Sequence, residues 1–247
     1  MSSMISDPNY RFNRRPQFSV NHISQYLATS NATQRGRVIR SAKFPKKVEI
    51  AAYSQVRDAL KKSLFKSDFG HSDLGVLADR MDAKARRESG WHKSEALRSA
   101  QAVRAFQETF KQKSFRKYVI APAPKNLSVR ISGVKLNVSM DAALTQDHKG
   151  TTFAGGLILK YAFGADRSSV SKELANAAGL LLWALEGGQM EPLPRLCMAV
   201  DLAEHNAVKA SASHTRFRQD VTDSCAEIAA LWDGIEPPDD YDGPDWC

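Results

Sequence analysis

The chain reads as an α+β protein, with a helical N-terminal half followed by a small mixed sheet with flanking helices. Three observations predict this. Apolar residues recur every third or fourth position across residues 19–113. The repeat shortens to two residues beyond Pro122 and Pro124. From there the order is strand, strand, helix, strand, strand, helix, which suits a sheet covered by helices. The same shifts divide the chain into a basic leader (1–18), a helical basic region (19–120), an α+β region (121–235) and an acidic tail (236–247).

The elements follow in order. Ser19 is placed to cap a helix with Val20, Ile23 and Leu27 on one face, and a second short helix is expected over Ala32 to Ala42. After Pro45, apolar Val48, Ala52, Val56, Leu60 and Leu64 recur at every fourth residue, predicting a helix from Lys46 to Phe65. Leu74, Leu77 and Met81 define the next helix, with Gly90 at its end; Ser94 then opens one that turns Leu97, Ala100, Val103, Phe106 and Phe110 inward.

Beyond the prolines, Val134, Leu136, Val138 and Met140 alternate with polar residues up to Asp141, a strand preceded by a turn at Gly133. A second strand is expected over Phe153 to Phe163, joined to the first through a turn at Asp147 to Gly150. Gly155-Gly156 inside it reads as a bulge or a close backbone approach. A helix capped by Ser168 or Ser169 runs to Gly187-Gly188. Strands at Arg195 to Asp201 and Ala207 to Ala210 and a helix from Arg216 to Trp232 complete the pattern.

Composition narrows the function classes. With 43% hydrophobic and 25% charged residues, the 247-residue chain has the balance of an ordinary globular protein. No run reaches the roughly 18–20 apolar residues of a membrane span, and Met1 to Tyr10 lacks the apolar core of a secretory signal, so a cytoplasmic location and no membrane partner are expected. Cys197, Cys225 and Cys247 form no Cys-x-x-Cys pair, and no histidines pair at i, i+4. Asp201, Glu204, His205 and His214 are read as polar turn residues.

Charge is the informative signal. Residues 1–125 hold 25 Lys and Arg against 10 Asp and Glu, whereas residues 126–247 hold 10 against 17. Residues 1–66 alone carry 13 basic and 3 acidic side chains. A solvated helix face usually mixes signs, so Arg35, Arg37, Arg40, Lys43, Lys46, Lys47, Lys61 and Lys62 are the candidate contacts to a nucleic acid, DNA or RNA. Nothing nearby reads base edges. Trp91 and Tyr118 are candidates for base stacking, while Phe106 and Phe110 are assigned to the core. The tail, with Asp239, Asp240, Asp242 and Asp245, reads as a solvating terminus; the alternative folds it back on the basic half or offers it to a basic protein.

Asp141 ends the alternating strand, and Lys160 follows on the next strand after 18 intervening residues. Over residues 95–210 this spacing resembles the core of the PD-(D/E)XK, or restriction-endonuclease-like, superfamily. The resemblance implies that Asp141 and Lys160 are the catalytic positions, that Asp141 binds Mg2+ or Mn2+, and that Lys160 orients the attacking water. The chain departs from the family at Ile158, where a second acid belongs. Glu108 or Glu173 on the flanking helices would then have to replace it. The expected function is therefore an accessory nucleic-acid-binding subunit of a larger nucleic-acid-processing or defence complex, with a catalytically degenerate nuclease-like module. The alternatives are an active metal-dependent nuclease and an interaction or inhibitor protein whose basic face meets an acidic protein.

Overall fold

A computed structural model describes residues 9–47, 54–111, 115, 117–161 and 168–246. The fold is α+β, as the patterning predicts. Strand β1 (Gln17–Ser19) leads into helices α1 (Val20–Ala28), α2 (Ala32–Lys43), α3 (Ser54–Ser63), α4 (His71–Arg87) and α5 (Gly90–Phe110). Strands β2 (Val119–Ala121), β3 (Ser128–Ile131), β4 (Val134–Asn137), β5 (Ala142–His148) and β6 (Thr151–Lys160) follow. Helix α6 (Val170–Leu185), strands β7 (Pro192–Asp201) and β8 (Asn206–Lys209) and helix α7 (Thr215–Leu231) complete the order. The Ser19 hydroxyl accepts the His22 N–H, so α1 is capped where the sequence places the cap. Val48 and Ala52, expected to open the third helix, lie outside the described residues, as do Ala162 and Phe163.

Two sheets form. Five strands run in the order β2-β5-β6-β7-β8, with β6 and β7 parallel and the other neighbours antiparallel. Three more run in the order β1-β4-β3, with β1 parallel to β4. The structure corrects the strand expected from Val134 to Asp141. Val134–Asn137 belongs to the smaller sheet, paired with β1 and β3, and Ala142–His148 is the hairpin partner of β6. Val138 and Met140 bridge the two sheets and are buried between them and the helices. Apolar alternation continued through this crossing, so period alone did not reveal the break. The β5–β6 turn falls at Lys149 and Gly150, both at positive φ.

The five-stranded sheet is buried on both faces. Ile158, Cys197 and Ala199 face a core built with α1, α2, α6 and α7, together with Leu136 of the smaller sheet. Leu157, Leu159, Met198 and Val200 face a second core with α3, α4 and α5. Residue 120 marks the change from helices to strands, yet each core draws on residues from both sides of it. Double-sided burial explains the nearly continuous apolar run along β6. At Gly155 a Cβ would lie 2.4 Å from the Leu196 carbonyl oxygen, and the β6–β7 register shifts between Ala154 and Gly156. The glycine pair is thus a bulge and a close approach together.

The acidic tail is docked against the leader. The Asp242 carboxylate accepts the N–H groups of Asn9 (2.8 Å) and Tyr10 (3.1 Å), and Asp240 accepts the Tyr10 hydroxyl (2.7 Å) and the Lys46 ammonium (2.8 Å). Tyr241 packs on Tyr10 and Phe44, and Trp246 packs edge-on to Phe44. The fold-back alternative therefore describes the structure, and the solvating terminus does not.

Candidate nucleic-acid interface

Asp141 directly precedes β5. Its own N–H donates to Leu157 O (2.7 Å) and begins the β5–β6 ladder, while Oδ2 accepts the Leu159 N–H (2.7 Å) that lies just past the end of β5. Oδ1 faces α3, where Lys61 Nζ lies at 3.1 Å and Arg57 Nη2 at 3.3 Å. The carboxylate is completely buried, a state that is tolerable because two cations and an amide satisfy it. Tyr161 lies beside this group, and burial, reinforced by the Asp141 charge, pushes its hydroxyl well above the usual range.

Lys160 takes the other direction. Alternation along β6 puts it on the same face as Ile158, toward α6, where its ammonium bonds the Glu173 carboxylate. Glu173 belongs to the first turn of α6, a favourable place for negative charge, and accepts the Ser169 hydroxyl at 2.7 Å. Of the two acids considered as replacements for Ile158, the structure brings Glu173 to Lys160. Glu108 is exposed on α5 and bonded to Lys111, which pulls its carboxyl below the ordinary value. The metal assignment to Asp141 and Glu108 is thereby corrected: one carboxylate is enclosed and spoken for, and the other is out in solvent. Among the described residues no group of three or more His, Cys, Asp or Glu is arranged to hold a metal ion. Asp201 instead accepts the Ala203 N–H in the β7–β8 turn, and His205 contacts Thr109.

The predicted basic contacts are dispersed. Arg35 bonds the Thr29 carbonyl through Nε, lies over the Tyr26 ring and approaches Glu227 at 3.6 Å. Lys43 is buried, its Nζ donating to the carbonyls of Trp232 (2.8 Å), Asp233 (3.3 Å) and Ile235 (2.9 Å), so it is a structural cation and not a phosphate contact. Lys46 is held by Asp240 and Lys61 by Asp141. Lys47 donates its backbone N–H to Asn9. Arg40 and Lys62 are exposed on α2 and α3. Arg37 alone of the eight lines the principal cleft.

That cleft, of about 1000 Å³, opens between α1, α2 and the junction of β6 with α6. Among the described residues its cations are Arg37, Arg57, Lys160 and Lys172, its one acid is Glu173, and Gln25 and Gln34 add amides. Arg37 and Lys172 are exposed and make no ion pair among the described residues. His22 lines the same wall with Nδ1 3.0 Å from the Ser19 hydroxyl; burial draws its imidazole below the ordinary value, leaving it uncharged at neutral pH. Lys172 gave no signal in the sequence, since it stands alone outside the basic half. What could have flagged it is its place in the first turn of a helix that follows Lys160.

Fold and site define an α+β protein with a cationic cleft at the C-terminal end of a strand in a mixed sheet. No protein-family model and no curated protein matches the sequence. Among the described residues no helix is long and apolar enough to cross a membrane.

Proposed function

We propose that the protein binds nucleic acid with its phosphate backbone in the cleft between α1, α2 and the β6–α6 junction, and that it acts without metal chemistry as a nuclease-like subunit of a larger complex. The observation that carries this reading is that, among the described residues, the cleft is lined by four cations and one acid, with two of the cations uncommitted. Guanidinium and ammonium groups on a polar wall suit phosphate oxygens, and the C-terminal end of a parallel strand is where open α/β sheets commonly take ligands. The order hairpin, helix, parallel strand over β5, β6, α6 and β7 is one that the restriction-endonuclease-like resemblance implies and supports the nuclease-like part of the reading, although Asp141 turns to α3 and Lys160 to α6. The residues present do not fit a divalent cation. Asp141 already bonds Arg57, Lys61 and an amide, Ile158 offers no oxygen, and Glu173 is tied to Lys160.

Binding to generic duplex DNA tests the reading. Two phosphates neutralised by the uncommitted Arg37 and Lys172 predict a fall in affinity of roughly 12-fold between 50 and 200 mM salt. Replacing both Arg37 and Lys172 by Gln should lower the slope of log K against log salt by about 2. Absence of binding at low salt, or an unchanged slope in the double variant, would overturn the cleft assignment. Magnesium- or manganese-dependent plasmid nicking that disappears in Asp141→Ala would overturn the non-catalytic assignment and make the protein a nuclease.

A further inference from the structure

Helices α4 and α5 form a hairpin that is anchored at one end and free at the other. Leu74, Ala78, Phe106 and Phe110 belong to the core against the sheet. Met81, Ala85, Ala96 and Ala100 are buried within the hairpin but outside that core. At the tip the chain turns through Glu88 and Ser89, and Gly90 at φ +55° sets the direction in which α5 starts. Here Arg86, Arg87, Trp91, His92 and Lys93 are all exposed. Trp91 is 53% exposed, and its indole meets the His92 ring edge-on at 5.1 Å. Among the described residues Arg86, Arg87 and Lys93 make no ion pair; of the nearby acids, Asp79 and Asp82 are engaged by Arg104, with Arg86 acting on Asp82 at longer range, and Glu88 is exposed at the tip itself.

We infer that this tip is a second nucleic-acid contact, which stacks Trp91 on an unpaired base and holds the flanking phosphates with Arg86, Arg87 and Lys93. The inference rests on the nucleic-acid reading of the cleft. An indole left half in water at a turn gains most from a flat partner with a π-face, and three cations around it select a polyanion. An acidic protein segment would satisfy the charges but offer nothing specific to the ring. Stacked bases in duplex DNA present no free face, so the tip favours single strands. Exposure also means that the side chains can be changed without cost to the core.

The test is fluorescence anisotropy with a 20-nucleotide oligothymidylate and a blunt duplex of equal length. Trp91→Ala should weaken single-strand binding at least about tenfold, with duplex affinity and salt slope unchanged, and Trp91→Phe should restore most of the loss. Replacing Arg86, Arg87 and Lys93 together by Gln should reduce the single-strand salt slope by about 2. Wild-type affinity of Trp91→Ala for the oligothymidylate overturns the inference and leaves the cleft reading standing. If the Arg37 and Lys172 double variant binds like wild type while Trp91→Ala does not, the cleft reading fails and the tip remains. Displacement of the oligonucleotide by polyglutamate as effectively as by unlabelled oligothymidylate would overturn it in favour of an acidic protein partner.

Discussion

Lys43→Met separates a structural cation from a nucleic-acid contact within the basic run. The ammonium reaches three carbonyls that follow the last turn of α7, with the rings of Phe12, Phe44 and Trp246 5.4–5.9 Å from it. Burial pulls its pKa below the ordinary lysine value, so enclosure costs something and the three acceptors offset it. Methionine keeps most of the stem's packing and removes the donors. The Trp232 carbonyl keeps the Ile235 N–H (3.3 Å) but loses its shorter, charge-assisted donor at a cost of about 1 kcal/mol, while the Asp233 and Ile235 carbonyls can turn to water. With the other two charge-assisted bonds lost as well, the net expectation is about 3 kcal/mol, or a Tm lowered by roughly 6–12 °C for a chain of this size. Thermal denaturation followed by circular dichroism measures it, with oligonucleotide affinity determined at a temperature where both proteins are folded. The folded variant should bind as wild type does. A Tm within about 2 °C of wild type, together with a salt slope reduced by about one unit, would refute the reasoning and return Lys43 to the polyanion surface.

Gly155→Ala should destabilise the fold by at least about 3 kcal/mol, because its Cβ would meet Leu196 backbone that cannot move without parting β6 from β7; chemical denaturation or loss of soluble expression would show it. The Asp240 and Asp242 carboxyls are held below their ordinary 3.8, the first mainly by hydrogen bonding to Lys46 and the second mainly by the Asn9 N–H. Folded values that are depressed add stability above 3.8 and lose it as pH falls through the folded values, so the clasp should release below about pH 4. Changing both to Asn should flatten the acid limb of a Tm-against-pH profile, and an identical limb would rule out the clasp. Burial pushes the thiols of Cys197 and Cys225 up to about 12, so in a Cys247→Ser background neither should react with a disulfide reagent at pH 8 until the protein unfolds.

The helices were legible where one stripe is buried, but not throughout: Leu97, expected to face inward on α5, is exposed, and α6 buries Ala177 through Leu182 on every side. Val56, Leu60 and Leu64 recur at every fourth residue, and all three line the core beneath α3. The existence of β6 was legible too, and its alternation sends Leu157 and Leu159 to one core and Ile158 to the other. The site was less so. Asp141 and Lys160 were recognisable as chemistry-bearing positions, but their partners come from α3 and α6, 84 and 13 residues away. Charge counting put most basic residues in the N-terminal half, but the fold disperses them, and among the described residues two of the four cleft cations, Lys160 and Lys172, come from the other half. Counting had no means of distinguishing Lys43, enclosed by the end of α7, from Arg37, facing the cleft six residues earlier.

Local pattern carried whatever depends on one element burying one face: the α+β class, the helix faces, the turn at Gly133, the tight spot at Gly155-Gly156 and the overall split of charge. Folding in three dimensions settled the rest. It sent Val134–Asn137 to a second sheet, drew the Asp240 and Asp242 carboxylates onto the leader, sealed Asp141 between two cations and left Arg37 and Lys172 uncommitted in one cleft. The physical reason is range. Periodicity reports what a residue does relative to its own backbone, whereas the state of a charge depends on which distant segment arrives to desolvate or neutralise it.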